Sequence, residues 1–368
     1  MATSPPADPV GVHLERTEDL SPRIDALAEA LGPRVGVEHL LGDLKYRAHD
    51  SRIGRLAGRA VHRAIAWNSY DQRDPTWWPQ GITTSADATA EGRIAGRRVL
   101  VTTWYAKAVN GIKRGSRLTF LDLDTLEYRH VLLVDPTLDD EGRVGMNSVR
   151  IHAGGIVWTG PWLHIAATAR GFVTCHVDDI MRVPDDNEFP DEIGLLGSPD
   201  APRPASFGHH YVLPVRFTHR AHTDDGHTPL RHSFLSLDRS GDPPGLLAGE
   251  YGRGGQSTRL ARYELDAQGW LPALDGSGIS RPVLDDVELV RMQGDVRARG
   301  RHHITVSQGP WWPGSVYTGQ PGDLRRHRFA LPMGPEDITY WPETDELWSV
   351  SEHPRRRWIF SMRRAWFD

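Results

Sequence analysis

The sequence predicts an all-β protein, and three features of its 368 residues support this prediction. Apolar residues occur in short runs that alternate with polar ones, which is the pattern of half-buried strands. The 37 glycines and 27 prolines are spread along the chain, as expected where many turns separate short strands. One arrangement of residues also recurs five times, and a recurring multi-strand unit is typical of a β-propeller, in which small sheets surround a central axis.

In the recurring arrangement, one or two polar residues precede a glycine or an acid, an apolar residue and a turn. The five segments are WPQGITTSADA (78–88), HAGGIVWTGPWLHIAAT (152–168), the looser RHSFLSLDRSGDPPGLLAGEY (231–251), MQGDVRARGRHHITVSQ (292–308) and GPEDITYWPETDELWSVSE (334–352). Further alternating runs follow, so each unit is predicted to be an antiparallel meander of three or four strands. We therefore expect a five-bladed β-propeller over residues 66–368, with six blades as the alternative. A β-sandwich or two small barrels would not explain the repeat.

The start of each unit is predicted to be the innermost strand of its blade. Glycine at this point permits neighbouring backbones to approach closely at the crowded axis. The polar residues just before it are then expected to face the central channel.

Residues 1–65 are predicted to form a helical extension or cap. The segment SPRIDALAEALG (21–32) has a serine that is suited to cap a helix, apolar residues at three-to-four spacing, and a terminal glycine. Residues 37–67 continue with helical character and carry a basic stripe of Arg52, Arg55, Arg59 and Arg63. We interpret this stripe as a solvated face beside the propeller.

Composition excludes several classes of protein. The net charge of −5 gives no general attraction to nucleic acid or to anionic membranes. The single cysteine, Cys175, excludes an intramolecular disulfide and is predicted to be a buried structural thiol. The chain begins without the pattern of a secretory signal and contains no stretch of about 18 apolar residues, so a cytoplasmic location without membrane contact is expected.

Seven segments together carry a resemblance to known proteins, and they are WPQGITTSADA, YRHVLLVDP, HAGGIVWTGPWLHIAATARGF, FLSLDRSG, GEYG, MQG and GPEDITYWPETDELWSVSEH. They resemble bacterial propeller proteins that are common in actinomycetes, are often described only as secreted proteins and have no assigned activity. The resemblance covers roughly residues 65–362 and implies a common fold. More distantly, the strand starts resemble those of gluconolactonase-type and strictosidine-synthase-like propellers, which place metal ligands or a catalytic acid at the channel mouth.

The aligned repeats predict a ring of polar side chains at the channel, and its members are Gln80, His152, His232 or Ser233, Gln293 and Glu336. A carboxyl group that is desolvated in such a channel has a raised pKa and can exchange a proton with a substrate. We expect Glu336 and His152 to transfer protons and Gln80 and Gln293 to orient the substrate. The alternative is a structural ring that hydrogen-bonds only to water. No cofactor is expected, with a divalent metal as the alternative.

Two further groups of residues are predicted to bind substrate where loops leave the strands. The polar group consists of Asp87, Glu250, Glu352 and His353, and its three carboxylates suggest glycoside hydrolase chemistry as a second possibility. The aromatic group, whose rings would wall a pocket, consists of Trp77, Trp78, Trp104, Tyr105, Trp311 and Trp312.

The leading hypothesis from the sequence is a cofactor-independent enzyme of bacterial specialised metabolism. It would catalyse a cyclisation, elimination or hydrolysis of a small molecule, as a cyclase, lyase or hydrolase of natural product biosynthesis. A carbohydrate-active propeller is the first alternative. A scaffold that binds a partner without catalysis is the second.

Overall fold

The computed structural model describes residues 11–184, 189–198 and 201–368. Residues 1–10 lie outside the described residues. They form half of the segment from which the absence of a secretory signal is predicted. The strands of the described part are, in chain order, β1 (Val12–Arg16), β2 (Tyr46–Arg47), β3 (His49–Asp50), β4 (Val61–Ala66), β5 (Trp77–Thr84), β6 (Val99–Ala106), β7 (Ser116–Asp122), β8 (Glu127–Leu138), β9 (Val144–Ser148), β10 (Ile156–Thr159), β11 (Trp162–Ala166), β12 (Gly171–His176), β13 (Met181–Arg182), β14 (Ile193–Ser198), β15 (Ala201–Ser206), β16 (Tyr211–Pro214), β17 (Phe217–Thr223), β18 (Phe234–Asp238), β19 (Gly245–Gly249), β20 (Arg259–Glu264), β21 (Ile279–Ser280), β22 (Val283–Asp286), β23 (Met292–Ala298), β24 (Arg301–Val306), β25 (Pro313–Gln320), β26 (Asp323–Met333), β27 (Pro335–Trp341), β28 (Glu346–Ser351) and β29 (Trp358–Arg363).

Helices are short and concentrated near the start of the chain. They are α1 (Ser21–Leu31), α2 (Gly36–Gly42), α3 (Arg52–Leu56) and α4 (Ser85–Ala88), with 3₁₀ turns at Val177–Asp179 and Arg364–Phe367. No helix of the described ranges is long and apolar enough to cross a membrane.

The strands form an all-β fold with a propeller-like arrangement of sheets, as predicted. The first sheet is built on β5, β6, β7 and β8, the second on β10, β11, β12 and β17, and the third on β18, β19, β20 and β22. The fourth contains β23 to β26, and the fifth contains β27, β28, β29, β4 and β3. A separate hairpin joins β14 to β15. Each of the five predicted repeat starts lies in, or directly before, the first strand of one of these five sheets.

The first strands of the five sheets meet at a common axis. They contact one another in the order β5, β10, β18, β23 and β27, and β27 in turn contacts β5. Glycines permit this approach, because a Cβ atom on Gly155 would lie 2.6 Å from the Cα atom of Phe234 and one on Gly294 would lie 2.7 Å from the Cα atom of Asp337. The expected role of glycine at the axis is thereby confirmed.

Replacing Gly155 by alanine is expected to destabilise the fold by about 3 kcal/mol, because the added methyl group meets backbone atoms that cannot move aside. Denaturant unfolding of the purified variant measures this loss. Gly276→Ala is the matched control, since a Cβ atom there has no neighbour within 4 Å, and it should change stability by less than about 0.5 kcal/mol. Equal stability of the two variants would contradict the close packing of the axis.

The predicted helical character of the N-terminal segment holds only in part. Helix α1 forms where expected and buries Ile24, Leu27 and Leu31. The rest of the segment alternates between short helices and strands. Of the predicted basic stripe, Arg52 and Arg55 lie in α3, whereas Arg63 lies in strand β4. Strand β1 joins the second sheet through β17, and β4 completes the fifth sheet by pairing with β29.

The helices also do not cover the mouth of the propeller. Helix α1 packs against β8, β9 and β13 at the outside of the first sheet, and α2 contacts the 3₁₀ turn after β12. The division into an N-terminal extension or cap and a propeller stays a prediction.

Candidate functional site

A cavity of about 500 Å³ opens where the first strands of the five sheets begin. The four residues predicted to be catalytic all line it, namely Gln80, His152, Gln293 and Glu336. Ser233 lines it as well, together with Glu352 and Tyr105 from the predicted substrate-binding groups. The structure therefore brings together the polar ring that the aligned repeats predict.

Glu336 is the most deeply buried acid of the cavity lining. It follows Pro335 at the start of β27, and a register shift between Pro335 and Ile338 re-aims this part of the strand. Only 3% of the residue is exposed, and its Oε1 accepts a hydrogen bond from Gln293 Nε2 at 3.3 Å. Burial, and to a lesser extent the charges of Glu352 and Asp337, raise the pKa of Glu336 well above its usual value. These surroundings favour the protonated form of Glu336.

Glu352 lies in a more polar environment of the same cavity. It follows β28, and its Oε2 accepts a hydrogen bond from Gln80 Nε2 at 3.1 Å. Burial raises the pKa of Glu352, but Lys107, the Gln80 hydrogen bond and Arg357 oppose this shift. The pKa of Glu352 stays raised overall. The two glutamates differ because the cations Lys107 and Arg357 favour the ionised form of Glu352, whereas no cation acts on Glu336 in this way.

Arg357 holds the backbone of Glu352 in place through a hydrogen bond. Its guanidinium is completely buried and donates to the Glu352 backbone carbonyl at 2.8 Å and to the Asp71 carbonyl at 2.7 Å. Burial lowers the pKa of Arg357 to about 10, so it remains charged at neutral pH. This contact fixes the loop that carries Glu352.

Asp337 follows Glu336 in β27 and lies at the axis of the propeller. It is completely buried, and its Oδ2 accepts hydrogen bonds from the backbone N–H groups of Ile82 at 3.2 Å and Ile156 at 3.3 Å. Within the described residues its Oδ1 has no hydrogen-bond partner. Burial raises the pKa of Asp337 well above its usual value although these backbone bonds oppose the shift. One side chain on β27 thereby ties together the first strands of three sheets.

His152 and Tyr105 form the rim of the cavity. Their rings lie 4.6 Å apart, and the ring of His152 is open to the cavity although protein surrounds it. This desolvation, together with the charge of Lys107, lowers the pKa of His152, so its imidazole is neutral at neutral pH. Burial and the nearby carboxyl groups of Glu352 and Glu336 raise the pKa of Tyr105.

Four of the predicted polar residues do not line this cavity, namely Asp87, Glu250, His232 and His353, the last of which packs against the ring of Trp78. Asp87 lies beyond the opposite end of β5, where it accepts from Thr83 and Thr339 and forms an ion pair with Arg239 at 2.7 Å. Glu250 is buried in the third sheet and forms two 3.0 Å contacts with the Arg259 side chain.

The third of them, His232, is buried between sheets, where its Nε2 lies 2.9 Å from the Tyr263 hydroxyl. Burial lowers its pKa to about 4.

The predicted arrangement of Asp87, Glu250 and Glu352 across one channel is wrong. Asp87 and Glu250 each form an ion pair with a nearby arginine instead.

The predicted aromatic residues are distributed over several environments. Trp104 is buried in the core, where its Nε1 donates to Thr102 Oγ1 at 3.0 Å. Trp78 lies beside the cavity, with Lys107 Nζ 3.1 Å from its ring centroid and His353 at its edge. Trp311 and Trp312 are 77% and 64% exposed and lie outside the cavity lining.

Sequence reasoning missed several residues of the cavity lining. They are Thr168, Arg231, Tyr251, Arg253 and Gln256. Three of them belong to the loop between β19 and β20, within the segment GEYGRGGQ (249–256) that also contains the predicted Glu250. From the sequence, the three closely spaced glycines of that loop could have indicated a loop of unusual backbone conformation at the channel mouth.

A second cavity of about 520 Å³ lies at the side of the first sheet. It contains a buried network in which Asp71 accepts from Arg117 at 3.0 Å, from the Tyr128 hydroxyl at 2.6 Å and from His130 Nε2 at 3.1 Å. Arg117 lies between the indole rings of Trp77 and Trp104. The predicted pocket residue Trp77 thus lines this second cavity and stabilises a buried ion pair.

The described part of the chain contains no group of three or more histidine, cysteine or acidic residues that could hold a metal ion. Cys175 is completely buried in β12, as predicted for a structural thiol, and burial raises its pKa.

Comparison with known protein families found no match, and comparison with curated proteins found none. Solved structures that are similar include a GH43_1 enzyme from Xanthomonas citri, with 10% identity over 77% of this chain and 86% of that chain at a TM-score of 0.35. A gluconolactonase from Xanthomonas campestris shares 12% identity over 90% and 87% of the two chains at a TM-score of 0.36. A putative glucose dehydrogenase from Thermus thermophilus shares 12% identity over 87% and 97% at 0.34. Likenesses this weak support no statement about activity, and the resemblance to actinomycete propellers stays a prediction.

Proposed function

We propose that the protein is an enzyme that transfers protons to and from a polar small molecule at the mouth of the propeller. Glu336 is the acid and Glu352 is the base in this proposal. The observation that carries it is the presence of two glutamates in one cavity whose pKa values are both raised by burial, with nearby cations opposing this rise only at Glu352. Such a difference in environment distinguishes the acid from the base in many enzymes.

The surrounding side chains suit this division of roles. Gln293 donates a hydrogen bond to Glu336, and Gln80 donates one to Glu352, so both carboxyl groups are held in position. In a hydrolysis, Glu352 would take a proton from water while Glu336 gives its proton to the leaving group. An elimination or cyclisation would use the same pair to remove one proton from the substrate and add another. Neutral His152 at the rim is placed to exchange protons with solvent.

Hydrolysis of a glycosidic bond is the second candidate. It is favoured by the presence of two carboxyl groups in one cavity, because most glycoside hydrolases use a pair of carboxyl groups that flank the scissile bond. In this candidate the two carboxyl groups are those of Glu336 and Glu352, in place of the set Asp87, Glu250 and Glu352.

Specialised metabolism in the cytoplasm remains the expected setting of the reaction.

The proposed roles predict that Glu336→Gln lowers turnover by about 10²–10⁴-fold, the usual contribution of one acid or base. The wild-type chain, Glu336→Gln and Glu352→Gln would each be incubated with a bacterial polar-metabolite extract and with a set of aryl glycosides, and the products would be measured by mass spectrometry.

The rate of the wild-type reaction should fall at high pH as Glu336 loses its proton and at low pH as Glu352 gains one. Glu343→Gln, in the exposed turn after β27, is the control that should keep full activity.

Two results would overturn the proposal. One is that the wild-type chain changes no compound in either set. The other is that Glu336→Gln and Glu352→Gln turn over a substrate as fast as the wild type.

We also infer that the propeller has five blades. The support is that the first strands of the five larger sheets contact one another in a closed order around the axis. The strands from the start of the chain add to the second and fifth sheets and do not form a further one.

A further inference from the structure

Two arginines of the cavity have no anionic partner. Arg231 precedes β18 and Arg253 lies in the loop between β19 and β20, and both line the cavity that holds the two glutamates. Within the described residues, neither guanidinium forms an ion pair or a side-chain hydrogen bond. Their positive charge is therefore available to a ligand.

Other arginines on the same sheet are paired. Arg259 binds Glu250, Arg262 binds Asp238, and Arg239 binds Asp87, each at 3.0 Å or less. Each of these structural arginines thus has a carboxylate partner. Arg231 and Arg253 differ from them because both are exposed at the cavity and, within the described part of the chain, neither guanidinium contacts a carboxylate. The Glu250 carboxylate accepts from the backbone N–H of Arg231 and not from its side chain.

The arginines and the glutamates lie on different sides of the axis. Strand β18 has β10 and β23 as its neighbours in the ring, whereas Glu336 and Glu352 belong to the fifth sheet. Tyr251 lies between the two groups. Burial and the Glu336 carboxyl raise the pKa of Tyr251, and Arg253 acts to lower it. A ligand that spans the cavity would therefore touch cations at one end and carboxyl groups at the other.

The charge of the lining favours an anion at the arginine side. Glu336 is placed to be neutral, and Lys107 and Arg357 offset the charge of Glu352. A guanidinium group binds carboxylates and phosphates through paired hydrogen bonds. Thr168, Ser233 and Gln256 add hydroxyl and amide groups suited to hydroxyl groups of the ligand. A volume of about 500 Å³ is within the usual range of small-molecule sites and suits a ligand of sugar size.

We propose that the substrate is a polyhydroxylated anion whose carboxylate or phosphate group is bound by Arg231 and Arg253, with its reacting bond directed toward Glu336 and Glu352. The second half of this inference rests on the proposed function. The binding of an anion at the two arginines does not depend on it.

The test compares charged and uncharged probes of the same shape. Binding of D-glucuronate, its amide D-glucuronamide, D-glucose 6-phosphate and D-glucose to the full chain would be measured by titration calorimetry at low salt. At least one of the two anions is expected to bind about tenfold or more tightly than its uncharged counterpart, a difference of about 1.4 kcal/mol. Added salt should weaken this preference.

Variants assign the preference to the two arginines. Arg231→Gln and Arg253→Gln should each reduce anion binding toward that of the uncharged probe. Arg328→Gln, which removes an exposed arginine from the outer strand β26, should bind like the wild type. Glu336→Gln should also keep the anion preference, because it removes no positive charge.

Each outcome bears on the inference. Preference for glucuronate assigns a carboxylate, and preference for glucose 6-phosphate assigns a phosphate. Equal binding of the anions and their uncharged counterparts, absence of binding by all four probes at millimolar concentration, or unchanged binding in both arginine variants would overturn it. Anion binding without turnover of any compound would contradict the proposed function alone. Turnover of uncharged compounds without anion preference would contradict this inference alone.

Discussion

Replacing Glu336 by glutamine is expected to raise the melting temperature at about pH 8 and to leave it nearly unchanged at about pH 4. The folded protein holds the pKa of Glu336 well above the usual value of 4.5. As the pH rises above that usual value, the unfolded chain gains free energy by ionising this glutamate, while the folded chain does not. The wild type therefore loses stability until the pH passes the raised pKa, and glutamine removes this loss.

The size of the effect makes it measurable by calorimetry. Each kcal/mol of relief should raise the melting temperature by on the order of 2 °C in a chain of this size. Glu343→Gln, at an exposed turn of the same sheet, controls for the loss of a carboxyl group and should behave like the wild type at both pH values. If the substitution instead lowered the melting temperature relative to the wild type at pH 8 but not at pH 4, Glu336 would be ionised in the folded protein.

Asp337→Ala is expected to destabilise the protein by about 2–6 kcal/mol. The substitution leaves the backbone N–H groups of Ile82 and Ile156 without an acceptor in the buried axis, and each unsatisfied buried donor costs about 1–3 kcal/mol. Because three sheets lose a shared contact, the loss should extend beyond the fifth sheet. Urea unfolding, followed by tryptophan fluorescence and by circular dichroism, measures it.

Asp337→Asn is the matched comparison. Its side-chain oxygen can accept the same two hydrogen bonds, and its amide replaces the carboxyl oxygen that has no partner. We expect it to retain most of the wild-type stability. If the asparagine variant were as unstable as the alanine variant, a negative charge on Asp337 would be required, in contradiction to a neutral carboxyl group at the axis.

The sequence predicted the cavity ring because its signal is local. Gln80, Gln293 and Glu336 each stand directly before the glycine or acid of the recurring arrangement, within an innermost strand. Since equivalent positions of a repeated unit meet around one axis, alignment of the repeats was enough to place them together. Glu352 was also found, because it ends the strand that pairs with the strand of Glu336.

The partners of buried charges could not be predicted in the same way. Asp87 pairs with Arg239 and Glu250 with Arg259, and the residue types alone do not distinguish such structural pairs from catalytic carboxylates. Strand direction contained part of the answer for Asp87. Strand residues 81–84 separate Gln80 from the helix that holds Asp87, so the two side chains lie toward opposite ends of β5.

The strands of the N-terminal segment depend on distant parts of the chain. Strand β1 pairs with β17, and β4 pairs with β29 near the C-terminus. The apolar residues of such segments fit a short helix as well as a strand, and only the partner decides between them. The arginines of the cavity mouth were missed for a related reason, because an arginine without a carboxylate is recognisable only when its surroundings are known.

Infrared spectroscopy of Glu336 at neutral pH tests the central claim most directly. A difference spectrum between the wild type and Glu336→Gln, both in ²H₂O, isolates the signal of this one side chain. The account predicts a band of a protonated carboxyl group that persists at pH 7 and disappears only at higher pH. A difference spectrum with carboxylate bands alone at pH 7 would contradict the assignment of Glu336 as the acid, and with it the proposed division of roles between the two glutamates.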